Sequence, residues 1–277
     1  MINSKILQSI QLDILSVTIE TLQKHGINVY LIGGSCIGAV RHGGMIPWDD
    51  DIDIGLFRDD YENACEILRN ELPEGYTWCD HLTEKEYPYN FGKVRKDNTA
   101  FVHGGDAHLN IHHGIYIDVF PLDKVPADLN EFKSILRKVT GLRRKVDLKC
   151  MSYKKHGKLR PIWQLPIIAA AHLLVNKQKV QSKLDALIKA FADIKDTQYI
   201  CNYFGVYGER EKIKSEWFGE GMEIMFESVS AIIPSDYDSY LTHVYGDYMK
   251  LPPEEKRVSH HDGVFISTTE SYHPFKK

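Results

Sequence analysis

Pro47-Trp48-Asp49-Asp50-Asp51-Ile52-Asp53-Ile54 sets four carboxylates within five positions, and from Asp51 to Leu56 acidic and apolar residues alternate. A period of two is that of a β-strand, so the run predicts a strand over 51–56, with Asp51 and Asp53 on one face and Ile52 and Ile54 on the other. Carboxylates two apart on a strand lie about 6 to 7 Å apart at Cα, near enough for both to bind hard cations through oxygen. If the strand begins early, Asp49 adds a third acid to that face; otherwise it is a turn residue. A calcium loop starting at Asp49 fails, because its sixth position would be Ile54 rather than Gly and its twelfth Asp60 rather than Glu.

Two further stretches give the pair a context. Gly33-Gly34-Ser35 ends a β-branched run, Ile27 to Ile32, and opens a short helical pattern through Cys36, Ile37, Ala39 and Val40. A glycine-rich turn at a helix start can present N–H groups and a hydroxyl to a phosphate, although most such turns bind nothing. Downstream, Asp118 lies between Ile117 and Val119 in a strand-like run, where an acid without a partner is costly. It is the best third carboxylate for a metal shell and for positioning or deprotonating an attacking hydroxyl.

Around these, Ile6, Ile10, Ile14, Val17 and Leu22 predict a first helix to about His25, stopped by Gly26. Asp59-Asp60 opens a helix to about Leu72, and Tyr89–Val94, Ala100–His103 and Ile115–Phe120 read as strands. Residues from about Leu129 to Asp193 read as almost wholly helical. Met222–Ile233 returns to strand, and Ser235 with Asp238 marks a helix start for Tyr237–Val244. The expected fold class is α+β, a small mixed sheet flanked by helices with a mainly helical insertion. The expected division is a catalytic core over 1–125, a helical insertion over 126–200 and a return to the core over 201–277.

The stretch Gly34-Ser35-Cys36-Ile37-Gly38-Ala39-Val40-Arg41-His42-Gly43-Gly44-Met45-Ile46-Pro47-Trp48-Asp49-Asp50-Asp51-Ile52-Asp53 resembles the signature of the LicD family. The resemblance extends through Phe91-Gly92-Lys93-Val94-Arg95, Asp118-Val119-Phe120-Pro121-Leu122-Asp123, Tyr245-Gly246-Asp247-Tyr248-Met249-Lys250-Leu251-Pro252-Pro253 and His260-His261, and misses only about 126–200. It implies a nucleotidyltransferase fold, kinship with fukutin and fukutin-related protein, and a phosphotransferase that moves a phosphorylated alcohol such as phosphocholine from CDP-choline, or another CDP-alcohol, to a glycan hydroxyl. It also implies Mg2+, two ions with Mn2+ as a substitute, held by Asp51 and Asp53, with Asp118 completing the shell and acting as base and Asp49 joining or orienting it. Gly34 and Ser35 would contact donor phosphate, and Arg41, Lys93 and Arg95 would neutralise its charge. Trp48, Arg257, His260 and His261 complete the expected donor site. Glycerol phosphate, ribitol phosphate or nucleotidyl transfer to a small acceptor are the alternatives.

Composition bounds the remainder. The 277 residues are 43% hydrophobic, ample for a core. With 34 basic and 38 acidic residues the net charge is −4, which excludes the global basic surplus of a nucleic-acid binder. Five dispersed cysteines without a Cys-x-x-Cys pair suit a reducing cytoplasm, and the N-terminus reads as a helix rather than an export signal. Ile162–Val175 is too short to span a bilayer. Flanked by Lys154, Lys155, Lys158, Arg160, Lys177 and Lys179, it is either a buried helix with a solvated rim or a segment lying on an anionic membrane. The second reading fits a lipid-linked glycan acceptor, such as a teichoic-acid precursor, at the inner face of the plasma membrane. His103, His108, His112 and His113 match no closed zinc spacing and read as a polar loop or as phosphate or acceptor contacts. Trp48, Tyr87, Tyr89 and Tyr116 lie close to the acids in sequence, but spacing does not say which aromatic would hold a quaternary ammonium.

Overall fold

The computed structural model describes residues 4–155, 158–192, 194, 197–259 and 263–273. The helices are α1 (Ser4–Gln23), α2 (Gly33–His42), α3 (Arg58–Glu71), α4 (Leu129–Cys150), α5 (Leu165–Leu174), α6 (Lys177–Lys189) and α7 (Tyr237–Tyr245). The strands are β1 (Tyr30–Leu31), β2 (Asp53–Phe57), β3 (Tyr76–Cys79), β4 (Gly92–Lys96), β5 (Ala100–His103), β6 (Tyr116–Lys124), β7 (Lys154–Lys155), β8 (Lys158–Leu159), β9 (Tyr199–Cys201), β10 (Lys212–Lys214), β11 (Met222–Phe226), β12 (Val229–Ile233) and β13 (Gly263–Ser267). The chain is α+β, as its periodicities predict.

The central mixed sheet runs β10-β9-β6-β2-β1-β12-β11, with β4 and β3 branching from β6. β2 and β6 are parallel, with Asp53 opposite Asp118 and Gly55 opposite Phe120. On its other edge β6 pairs antiparallel first with β4, Asp118 facing Lys93, and then with β9 beyond Phe120. One long strand thus serves three neighbours, which its apolar side chains allow: Ile117 and Val119 are fully buried. Ile14, Leu15 and Leu22 of α1, Ile52 and Ile54 beside the acids, and Ile233 of β12 share the same core. α3 is locked to the end of β6 by a two-pronged ion pair, Arg58 Nε to Asp123 Oδ1 at 2.6 Å and Nη2 to Oδ2 at 3.0 Å.

Several boundaries differ from the sequence reading, each for a visible reason. Helix α1 ends at Gln23 in a turn closed by Gly26 at φ 71°. The strand carrying the acids begins at Asp53, not Asp51, because the carbonyls of Ile46, Asp49 and Asp50 are taken by side chains of α1. The strand expected from Tyr89 starts at Gly92, because Gln181 Nε2 holds the carbonyls of Tyr87 and Tyr89 and Lys177 Nζ also donates to Tyr87 O. The helical stretch after Leu129 is broken by the β7–β8 hairpin. Met222–Ile233 is a hairpin of two strands, and α7 is capped by Asp236, which accepts from Ser239 N at 3.1 Å, rather than by Ser235.

Candidate active site

Asp53, first residue of β2, and Asp118, third of β6, are register partners across a parallel pair, so their side chains leave the sheet on the same face. Asp51 reaches them from the loop that feeds β2, and carboxylate oxygens of Asp51, Asp53 and Asp118 lie within 4.8 Å of one another. Asp49, Asp50 and Asp51 form a second such group, so Asp51 is common to both. Crowding like charges into a half-buried recess raises their proton affinity. Burial, then Asp51 and Asp118, pushes Asp53 well above the carboxylate range, with Lys93 pulling the other way. Burial and Asp51 push Asp49 up to about 8. An all-oxygen set of carboxylates that repel one another is the donor set of a hard divalent cation.

The loop is held from α1. Gln8 Nε2 donates to Ile46 O at 3.1 Å and Asp49 O at 2.9 Å, and fully buried Gln11 donates to Asp50 O at 2.6 Å and Tyr116 O at 3.3 Å. Helix α2 begins directly over the acids. A Cβ on Gly34 would lie 3.0 Å from Asp49 Oδ2, and one on Gly33, at φ 57°, would lie 3.4 Å from Asp53 Oδ2 and 3.3 Å from the Tyr245 hydroxyl. Glycine at both positions is what lets the helix N-terminus approach so closely. Ser35 Oγ accepts the Asp53 N–H at 2.9 Å, fixing the start of β2 to the helix.

Lys93 faces Asp118 from β4 and is ion-paired with it. Its ammonium also lies 3.6 Å from the centre of the Tyr116 ring and 5.4 Å from that of Tyr89, and burial lowers its pKa against the pull of Asp118. Arg95, two residues on, is buried, lies 5.0 Å from the centre of the same tyrosine ring and donates to Gly114 O at 2.8 Å. Arg41 donates to Tyr248 O at 2.6 Å, tying α2 to the C-terminal segment.

That segment folds back over the acid loop. Arg257 lies 5.6 Å over the ring of Trp48, Ser259 bonds to Asp50, and β13 pairs with β5. His260 and His261 lie outside the described residues. The four loop histidines turn to different partners: His103 to the Tyr116 hydroxyl, His108 to Cys150 O, His112 to Asp97 and His113 to Leu109 O. Sequence reading missed Gln8, Gln11, Ser259 and Tyr240, whose hydroxyl accepts the Gly33 N–H at 3.0 Å. Gln11 is legible in hindsight as a polar residue on the apolar stripe of α1; Ser259 leaves no signal.

Residues 26–133 match the family model described as the LicD/FKTN/FKRP nucleotidyltransferase domain. The chain is similar to the lipopolysaccharide cholinephosphotransferase LicD of Haemophilus influenzae, 31% identical over 262 residues that cover 92% of this chain and 94% of that protein. It is also similar to human ribitol 5-phosphate transferase FKRP, 34% identical over 91 residues, 31% of this chain and 17% of that protein. Human ribitol-5-phosphate transferase FKTN matches at 35% over 51 residues, 18% of this chain and 11% of that protein.

Proposed function

Because the chain belongs to the LicD family of phosphotransferases, we propose that it transfers phosphocholine from CDP-choline to a hydroxyl of a bacterial surface-glycan precursor of the teichoic or lipoteichoic acid type. The observation that carries the reading is the convergence of Asp51, Asp53 and Asp118 beneath the N-terminus of α2. Mg2+, as two ions or with Mn2+ in its place, would be held by Asp51, Asp53 and Asp118 with Asp49 beside them, and when bound it neutralises charge on the donor diphosphate. The N-terminus of α2 at Gly34 and Ser35 offers backbone N–H groups and the positive end of a helix dipole to the same phosphates. Asp118, at the β6 edge of the cluster, would take the proton of the incoming hydroxyl, with its ion pair to Lys93 holding its orientation. CMP is the leaving group.

The lipid-borne acceptor has separate support. Only Ile168 and Ala171 of α5 are buried, while Ile162, Trp163, Leu173 and Leu174 are 67–85% exposed. This is not an ordinary core helix. Exposed Lys154, Lys158 and Lys179 flank it, the pattern of a segment lying on an anionic membrane. No described helix is long and apolar enough to cross a membrane.

The test is release of CMP from CDP-choline with Mg2+ and a lipid-linked glycan precursor, with choline label appearing on the acceptor. CDP-ribitol and CDP-glycerol run in parallel, since two relatives are named ribitol 5-phosphate transferases. CMP release from one of these alone reassigns the cargo. Label from the nucleoside on the acceptor would establish nucleotidyl transfer instead.

A further inference from the structure

The aromatic rings nearest the acids in sequence are already used by the fold. Lys93 occupies the face of Tyr116 and approaches Tyr89, Arg257 covers Trp48, and Tyr87 is wholly buried. A different set reaches the acids from the C-terminal half. Tyr240, in α7, accepts the Gly33 N–H at 3.0 Å. Five residues on, at the end of α7, the hydroxyl of Tyr245 and the carboxylate of Asp53 both approach within 3.4 Å of the site a Gly33 Cβ would take. Tyr207 packs edge-on against Tyr245, ring centres 4.7 Å apart at 69°, and is 41% exposed.

Among the described residues no protein cation lies over Tyr207 or Tyr245. Tyr207 N donates at 3.2 Å to Oε1 of buried Glu211, an acid that burial pushes up to about 7 and that a bound cation would hold ionised. Of the neighbouring charges, Arg210 leans on Val244 O at 3.4 Å, Glu209 pairs with Lys133 at 2.9 Å, and Arg143, whose charge acts on Glu211, donates to Tyr203 O at 2.7 Å.

We infer that Tyr207 and Tyr245, backed by Glu211, form the subsite for the quaternary ammonium of the transferred alcohol. The inference rests on the phosphocholine reading above and adds the residues that select the cargo. Only two methylenes separate the ester oxygen of phosphocholine from its nitrogen, so a phosphate over Asp53 must place the ammonium close by, where Tyr240 is buried and Tyr245 half-buried. A cation is attracted to ring faces and to a carboxylate behind them. A neutral polyol gains nothing from either.

The experiment compares kcat/KM of the full chain with Mg2+ for CDP-choline and for CDP-3,3-dimethylbutanol, in which carbon replaces the charged nitrogen at equal shape. The wild type is expected to prefer the choline donor about tenfold or more. Tyr207→Leu is expected to lose most of that preference, chiefly through a higher KM for CDP-choline, while Tyr207→Phe keeps it. Glu211→Gln, which preserves shape and the acceptor for Tyr207 N, lowers the ratio severalfold. Thermal melting confirms that each variant folds. A ratio in Tyr207→Leu and Glu211→Gln equal to that of an active wild type overturns the subsite and leaves the phosphocholine reading standing. No turnover of CDP-choline by the wild type overturns both.

Discussion

Asp118 stands opposite Asp53 across the parallel pair β2–β6, and on its other side, across the antiparallel pair β4–β6, it faces Lys93. Acid, acid and lysine therefore form one row across three strands. The lysine offsets one carboxylate of the row, while Asp51 adds another from the loop. The protein alone leaves this cluster short of positive charge.

Removing one acid from the cluster should therefore stabilise the unliganded protein while abolishing turnover. Asp53→Asn keeps the shape and removes the cost of holding an ionisable acid in a buried site beside Asp51, Asp118 and Asp49. We expect a gain of about 2–4 °C in melting temperature without divalent cation, and a loss of about 10³ or more in kcat. Unchanged turnover would rule out the acid cluster as the reaction centre.

The same repulsion sets a pH dependence. Asp49 is pushed up to about 8 in the folded chain, by burial first and then by Asp51, from an ordinary value of 3.8. Below about pH 4 both folded and unfolded chains hold its proton. Between about 4 and 8 the unfolded chain has released it and the native one has not, so this carboxyl makes stability fall as pH rises. Asp53, shifted the same way, adds to the slope. Melting measured in chelator should fall across this window. Mg2+ should cancel the fall and should displace protons at pH 7, seen as buffer-dependent heats in calorimetric titration. A flat chelator profile would contradict the crowded-acid picture.

Gln11 offers a test of positioning. It bonds the carbonyls of Asp50 and Tyr116 from a fully buried site, joining the acid loop to the strand that carries Asp118. Gln11→Leu leaves both carbonyls without this donor, a cost of about 1–3 kcal/mol. Because the loop end that places Asp51 loses its tether, kcat should fall about tenfold or more while KM for the donor changes less. The expected pattern separates positioning from general destabilisation, since Gln8→Ala, on the half-buried neighbour, should lower kcat less.

The acids were legible because alternation and metal chemistry both operate over two residues. Asp53 and the apolar Ile52 and Ile54 stand as the period demands, and Asp118 was found because an acid inside an apolar strand needs a partner. What alternation did not reveal is that Asp51 lies before the strand, since α1, some forty positions upstream, takes the loop carbonyls. Nor could spacing distinguish Lys93 from Arg95. They share a strand face, yet only the first meets Asp118, and the second is spent on Gly114. Strands such as β9, β10 and β13 are three to five residues long and owe their form to distant partners. Tyr207 and Tyr245 are 38 positions apart and meet only through packing.

The exposed segment around α5 makes the final prediction. Trp163 and Leu174 are 67% and 83% exposed, in a stretch whose flanking Lys154, Lys158 and Lys179 are also exposed. A tryptophan beside cationic side chains is suited to the headgroup level of an anionic bilayer, where burial of apolar surface and charge attraction add. Flotation with vesicles of phosphatidylglycerol and phosphatidylcholine should recover the wild type, and less of it with vesicles of phosphatidylcholine alone or at high salt. Trp163→Ser with Leu174→Ser should lower the recovered fraction severalfold, because each side chain forfeits about 1.5–3 kcal/mol of burial if fully inserted. The double variant should keep its melting temperature and its turnover of a water-soluble acceptor, since neither side chain is in the core, and lose activity only toward acceptor presented in vesicles. Equal flotation of variant and wild type would remove the membrane from the proposed reaction while leaving the acid site untouched.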